Sequence, residues 1–349
     1  MTLKDKIKTL GNAYGVSGDE FAVAKIAAEL LEPYVDRVEI DEFGNVSGYK
    51  SCGKPGAKTL MLDAHIDEIG LIVTHICSSG LLKVAKAGGI HPSVYPGHQV
   101  MIHHGDTQIP GVVIFNDAME KGDIKDKDLY IDIGAKDAED AKQYVQAGDP
   151  IHLHTYHQEL LNGYLSARAV DDRGCAFIIL EALKRAKEMG CKVGVYAATT
   201  VGEETTMRGA YWAAARVEPD VAIAVDVTYA QDYPGTDPNE SGPVKLGKGP
   251  VICNSSIANK KVNDLLKVCA AAKGIPYQME SYMGRTGTDA DKIHFTGTGV
   301  TTALVSLPLR YMHSPSEVCQ IKDVENAVNL LAHFLCSIDS TTILDPFAE

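Results

Sequence analysis

Several things are scarce in this chain of 349 residues, and each scarcity narrows the function. There is a single tryptophan, Trp212, and aromatic residues make up only 7%, whereas sugar clefts tend to be paved with aromatic platforms. The eight cysteines form no C-x-x-C pair, so neither a dithiol redox motif nor a paired-thiolate zinc site is present. Basic residues are outnumbered, 33 against 46 acidic, for a net charge of −13. A chain that acidic repels phosphate backbones, which excludes nucleic acid and anionic membrane surfaces as partners. No uncharged apolar run approaches the ~18 residues of a membrane span. The opening MTLKDKIKTL lacks the apolar core of a secretory signal, and the expected location is the cytoplasm.

What is present is an ordinary globular composition, 45% hydrophobic and 23% charged, long enough for one large domain with an insertion or for two domains. DEFAVAKIAAELLEPYV (19–35) has helical spacing and VDRVEIDEFGNVSGYK (35–50) reads as a hairpin. From about 71 to 162 the runs are short and β-like, among them LIVTHI, HQVMIHH, GVVIF and PIHLHTYH, divided by Gly and Pro. After 170 the pattern changes to regular alternation: helix 173–189, strand 192–201, helix 206–216, strand 220–228. A Gly/Pro-rich loop at 230–250 follows, then helix 259–273, strands near 276–282 and 300–307, and a closing helix at 321–338. The expected architecture is α/β: an open mixed sheet flanked by helices, formed by residues 1–70 and 163–349, with a small β-barrel-like domain inserted at 71–162.

Open α/β sheets place their sites at the carboxyl ends of strands, so the residues after each apolar run are informative. TLML is followed by Asp63, His65 and Asp67; VYAATTV by Glu203 and Glu204; VAIAV by Asp226; TTALVSLPLRYM by His313; and Asp171 precedes a helix. One such residue alone is ordinarily a helix cap or a solvated side chain. Five coincidences on one edge are better explained by a shared site. Two His and several carboxylates without thiolates suit divalent Zn, Co or Mn. Two ions need a bridging carboxylate. Two dications against Asp171, Glu204, Asp226 and a hydroxide sum to zero charge, as a partly buried cluster should. The adjacent glutamates then divide the work, one binding metal and the other acting as a base, with no local signal to say which.

The ordered series DAHIDEIG, ARAVDDRG, TVGEETTMRGA, AVDVT, GTDA and RYMHSPSE, spanning residues 63–317, resembles the motifs of the dinuclear glutamyl and deblocking aminopeptidases. These are the tetrahedral aminopeptidases, some members of which carry cellulase or endoglucanase labels. The resemblance implies two divalent ions per subunit. His65 and Asp226 would each bind one, Asp171 would bridge, and Glu204 and His313 would hold the second. Glu203 would be the general acid/base and Asp67 would steady His65. A hydroxide between the ions would attack the scissile carbonyl while the free α-amino group of a peptide binds metal. The resemblance also implies that the insertion builds dimers and a twelve-subunit shell. Gly202, Thr205 and Thr206 depart from the family pattern beside the glutamates, as do Asp291 and Lys292 after GTDA; these bear on loop shape and substrate preference. The alternatives are an amidase or deacylase on the same scaffold, a glycoside hydrolase using the glutamates, and a non-catalytic shell protein. His103–His104 and the HLHTYH histidines 152, 154 and 157 form a second cluster. His152 and His154 would share a strand face, exposed or at an interface, or less readily hold a third metal.

Overall fold

The computed structural model describes residues 3–122 and 124–348. Helices α1 (Leu3–Gly11) and α2 (Phe21–Leu31) lead into a hairpin, β1 (Arg37–Ile40) with β2 (Val46–Lys50), and then β3 (Thr59–His65). The helix expected over 19–35 stops at Leu31, and Pro33 lies in a three-residue 3-10 turn (Glu32–Tyr34) that follows. The chain then leaves the sheet and closes a six-stranded barrel: β4 (Gly70–Ile76), β5 (Leu82–Ala87), β6 (Gln99–His104), β7 (Thr107–Val113), β8 (Tyr130–Asp132) and β9 (Pro150–Leu153). Alternate residues such as Leu71 and Val73, Leu82 and Val84, and Val100 and Ile102 point inward and give the barrel its own core.

A return strand pair, β10 (Gln158–Glu159) and β11 (Tyr164–Ala167), precedes the long helix Val170–Glu188. The remaining strands are β12 (Gly194–Thr200), β13 (Val221–Tyr229), β14 (Val251–Ser255), β15 (Gln278–Tyr282), β16 (Thr302–Leu309) and β17 (Glu317–Gln320). They complete a mixed eight-stranded sheet, ordered β1-β2-β12-β3-β13-β16-β14-β15, while β17 joins β11 and β10. The fold is therefore the expected mixed α/β sheet flanked by helices, accompanied by a closed barrel. Strand β14 was not foreseen; its five residues sit between a Gly/Pro-rich loop and a helix, and it is antiparallel to β16.

Period-two alternation explains where the polar residues went. In β3, Leu60, Leu62 and Ala64 face the long helix, while Met61 faces a second, smaller cluster. In β13, Val221, Ile223, Val225 and Val227 take the first face and Ala222 and Ala224 the second. By the same period Asp63, His65, Asp226, Thr228, Thr200 and Ser306 all belong to the second face. That face is covered by small side chains, Ala210, Ala213 and Ala214 of the helix Arg208–Val217 and Ala290 near Ile293. Thin cover at one end of a buried parallel sheet is what leaves room for a cavity. Among the described residues no helix is long and apolar enough to cross a membrane.

Candidate metal centre

The glutamate pair depends on Gly202. Its φ of 70° lies in the left-handed region, where a side chain is disfavoured. It ends β12 and starts a single helical turn, Glu203–Thr206, where the sequence suggested a loop and a helix from 206. Consecutive residues on a helical turn diverge by roughly 100° rather than the 180° of a strand, so both glutamates line the same cavity. Asp67 holds the turn. One of its carboxylate oxygens accepts the Glu203 amide at 3.0 Å and the other the Glu204 amide at 3.2 Å.

The parallel register sets His65 beside Thr200 and Asp226 beside Ser306. Asp171 enters from the first turn of the long helix, where its φ and ψ (−77°, 103°) are not helical. Its two oxygens face two imidazoles: Oδ1 is 3.2 Å from His65 Nε2 and Oδ2 is 3.1 Å from His313 Nε2. Glu204 Oε2 lies 3.4 Å from His313 Nε2, and Glu203 Oε2 lies 3.8 Å from His65 Nε2. His65, Asp171, Glu203 and Asp226 are all buried. Among the described residues two groups of three could each hold an ion: His65 with Asp171 and Glu204, and His65 with Asp172 and Asp226. The structure thus gathers His65, Asp67, Asp171, Glu203, Glu204, Asp226 and His313, scattered in sequence, into one site.

Both imidazoles are turned the same way. A carbonyl only accepts, so His313 Nδ1–H donates to Gly89 O at 2.9 Å and His65 Nδ1–H to Asp67 O at 3.2 Å. In its neutral form each ring would therefore present an Nε2 lone pair inward, the tautomer a metal ligand needs. Asp67 reaches His65 mainly through its backbone carbonyl; its nearer carboxylate oxygen is 3.4 Å from Nδ1. His313 has a φ of 61°, a left-handed backbone that costs a non-glycine residue about 1–3 kcal/mol. Glu317 secures it, one oxygen accepting the His313 amide at 2.9 Å and the other the Asp171 amide at 3.1 Å.

Electrostatics and donor spacing fit divalent ions. Burial pushes the Glu203 and Glu204 carboxyls up and takes Asp226 to about 8. Burial opposes charge on His313, yet Asp171 and Glu204 outweigh it and raise the imidazole to about 12. Glu204 Oε1 and Asp172 Oδ1 are buried without a hydrogen-bond partner, a state that costs free energy unless something positive satisfies them. Two donors at ~2.0–2.1 Å from a tetrahedral ion stand roughly 3.3 Å apart, close to the observed 3.1–3.4 Å contacts. Cys175 lies beneath Asp226, but its thiol donates to the Asp226 carbonyl at 3.2 Å and is pushed up by burial, which leaves an N/O donor set.

Four contributors were invisible in the sequence reading. Asp172 accepts the His65 amide at 3.2 Å. Glu317, the last residue of RYMHSPSE, accepts the His313 and Asp171 amides. Asp289 in GTDA accepts the Thr200 hydroxyl at 2.8 Å beside the buried Asp63. Gly89 comes from the segment after β5. Of the departures, Asp291 ties the 286–287 loop, accepting the Thr286 and Gly287 amides, and Lys292 is exposed at the cavity wall. The second histidine cluster does not form as expected. His152 is buried and bonded at 3.0 Å to His103, while His154 lies beyond β9 against Tyr156. The two point to different partners because the strand ends at Leu153.

Residues 44–330 match the family described as M42 glutamyl aminopeptidase. The lysyl aminopeptidase of Pyrococcus furiosus is 32% identical over 93% of this chain and 94% of its own. An aminopeptidase structure from the archaeon Desulfurococcus kamchatkensis superposes with a TM-score of 0.90, at 34% identity over 97% of this chain and 95% of that one. The Pyrococcus horikoshii TET1 peptidase, described as assembling into a tetrahedron or a large octahedral shell, gives a TM-score of 0.86 at 29% identity. That match covers 97% of this chain and 100% of that one.

Proposed function

The chain belongs to the M42 glutamyl aminopeptidase family, and on that premise we propose that it is a dinuclear metal-dependent aminopeptidase acting on the free N-termini of peptides. The observation that carries the reading is Asp171. Its two oxygens lie 3.2 and 3.1 Å from two Nε2 atoms whose rings are both anchored through Nδ1.

In this reading His65 and Asp226 would hold one ion, Glu204 and His313 the other, with Asp171 shared between them. When bound, the ions, Zn or Co foremost and Mn less so, supply a hydroxide nucleophile and polarise the scissile carbonyl. Glu203 Oε2 is the proton carrier. It is buried, has a carboxyl pushed up by burial and is left outside the proposed ligand set, so it would take a proton and return it to the leaving amine. Asp67 keeps that carboxylate in place through the Glu203 amide. A parallel assay of free-amine and acylated substrates separates this reading from a deacylase.

The assembly is proposed as a homo-oligomer, up to a dodecameric shell of dimers. It is supported by the TET1 likeness and by exposed apolar residues near the barrel, Phe115 at 61% and Leu161 at 85%; sedimentation tests it. The activity is tested with aminoacyl anilides and their N-acetylated counterparts, before and after chelation and after return of each metal. Turnover of the free-amine series alone, lost on chelation and restored by metal, is the expected result. Full activity in metal-free buffer would overturn the reading.

A further inference from the structure

The cavity that holds the metal centre, about 750 Å³, extends well past the proposed ligands. Glu280, on β15 and only 5% exposed, also lines it. Its carboxylate is served by hydroxyls. Thr228 donates to Oε2 at 2.6 Å, Ser306 donates to Oε1 at 3.3 Å, and Tyr282 adds a further hydrogen bond. None of the described residues forms an ion pair with it, and burial pushes its carboxyl up. A buried acid in a solvent-connected cavity without a cation is costly unless a ligand supplies one.

Its place relative to the metal centre follows from the strands. Thr228 lies two residues beyond Asp226 on the same face of β13, so the hydroxyl that holds Glu280 stands roughly 7 Å along the strand from the proposed ligand. Ser306, the other hydroxyl donor, is the direct register partner of Asp226. Glu280 is therefore one side chain's length from the point where the α-amino end of a substrate binds. A four-carbon stem ending in a compact ammonium spans that gap. Arg285 and Lys292 also border the cavity, but both are exposed, so water screens them and they do not set the charge of the floor.

We propose that Glu280 is a specificity-determining residue that receives a basic N-terminal side chain, lysyl above all. The hydroxyls of Thr228 and Ser306 keep the carboxylate aimed while leaving acceptor capacity for the ammonium. The relatives' names include both glutamyl and lysyl aminopeptidases, so family membership leaves the choice open and this chain's own residues decide it. The inference rests on the aminopeptidase reading.

The test compares lysyl and norleucyl anilides, which share a stem and differ in the terminal ammonium, on the metal-loaded enzyme and its Glu280→Gln variant. Glutamyl and arginyl anilides complete the panel. A charge-assisted hydrogen bond predicts a lysyl-to-norleucyl ratio of kcat/KM of roughly 10–100 in the wild type. That ratio should collapse toward one in Glu280→Gln. Calorimetric titration of the unmutated enzyme with free L-lysine and L-norleucine should show the same order without any turnover. Equal use of the two anilides, a preference for glutamyl, or a ratio unmoved by Glu280→Gln would overturn the proposal while leaving the aminopeptidase standing. Failure to hydrolyse any anilide would remove both.

Discussion

Replacing Gly89 by alanine tests whether the segment after β5 is part of the metal centre. A Cβ built at Gly89 would lie 2.9 Å from His313 Nδ1 and 3.0 Å from its Cε1, closer than side-chain carbons normally approach. The imidazole must retreat by roughly half an ångström to reach the ~3.5 Å of an unstrained contact. It cannot do so and keep its 2.9 Å hydrogen bond to the Gly89 carbonyl, and the backbone of His313 is already held in a left-handed conformation by Glu317. Loss of such an anchoring partner costs metal affinity about 10–100-fold. The effect should be confined to the site of His313 and Glu204. Competition between the metal-stripped protein and a chromophoric chelator should therefore show one of two zinc sites weakened by that factor and the other, with His65 and Asp226, within a few-fold of wild type. Two unaltered sites would show that Gly89 does not orient His313. Equal weakening of both would show that the two histidines do not serve separate ions.

Glu203→Gln should retain both metals and lose about 10²–10⁴-fold in kcat, whereas Glu204→Gln should lose metal as well; metal analysis beside kinetics decides, and equal metal loss in both would void the division of roles. His152 is buried, and burial first, then Arg168, lowers its imidazole to about 3. Its folded value lies below the ordinary one of about 6.5, so its stabilising effect is complete above pH 6.5 and declines as pH falls from there toward 3. Between pH 7 and 5 this amounts to on the order of 2 kcal/mol, and denaturant titrations should show a shallower pH slope in His152→Asn; an unchanged slope would refute it. Arg173 is fully buried, bonded to Glu68 at 2.9 Å, to Ile66 O at 3.0 Å and to Ala13 O. Arg173→Met should destabilise the fold by about 3–5 kcal/mol because Glu68 loses a buried partner; urea unfolding within 1 kcal/mol of wild type would contradict this.

How much of this was legible depended on whether a residue's role was carried by its own strand. TLMLDAH and VAIAVDV announce their architecture: alternation places Asp63, His65 and Asp226 on one face, and continuous apolarity marks buried parallel strands. Their convergence is a property of parallel register, which sequence order implies. His313 was less exposed to that logic, because it follows its strand by four residues and reaches the site only through a left-handed turn. Asp172 and Asp289 could not be assigned locally, since each accepts a donor 107 or 89 residues away; Glu317 joins a donor four residues off, the His313 amide, to one 146 residues off, the Asp171 amide. Their sole early signal was membership in a motif beside a residue with a role. The strand at Val251–Ser255 was hidden for a simpler reason: five residues after glycines and proline carry too little periodicity to separate strand from loop.

Charge shows what convergence adds to a list of ligands. In the proposed site, Asp171, Glu204 and Asp226 with one hydroxide would balance two dications. The folded chain also brings Glu203, Asp172, Asp289 and Asp63 to the same buried edge, and +4 cannot neutralise all of them. Burial raises the carboxyls of one pair of these neighbours. Asp63 is fully buried, is paired with Asp289, and is pushed up by burial and by that neighbour, while burial raises Asp289 to about 6. Two like carboxyls so close and so buried disfavour ionisation of both, which lowers the negative charge they add beneath His65. Glu203 Oε2 lies 3.8 Å from His65 Nε2, and its own carboxyl is raised by burial. Because burial raises Glu204 and Asp226 as well as Glu203, the shift alone does not single out the base; Glu203 is proposed for that role because it is left outside the ligand set, where a carboxylate is free to take up and release a proton.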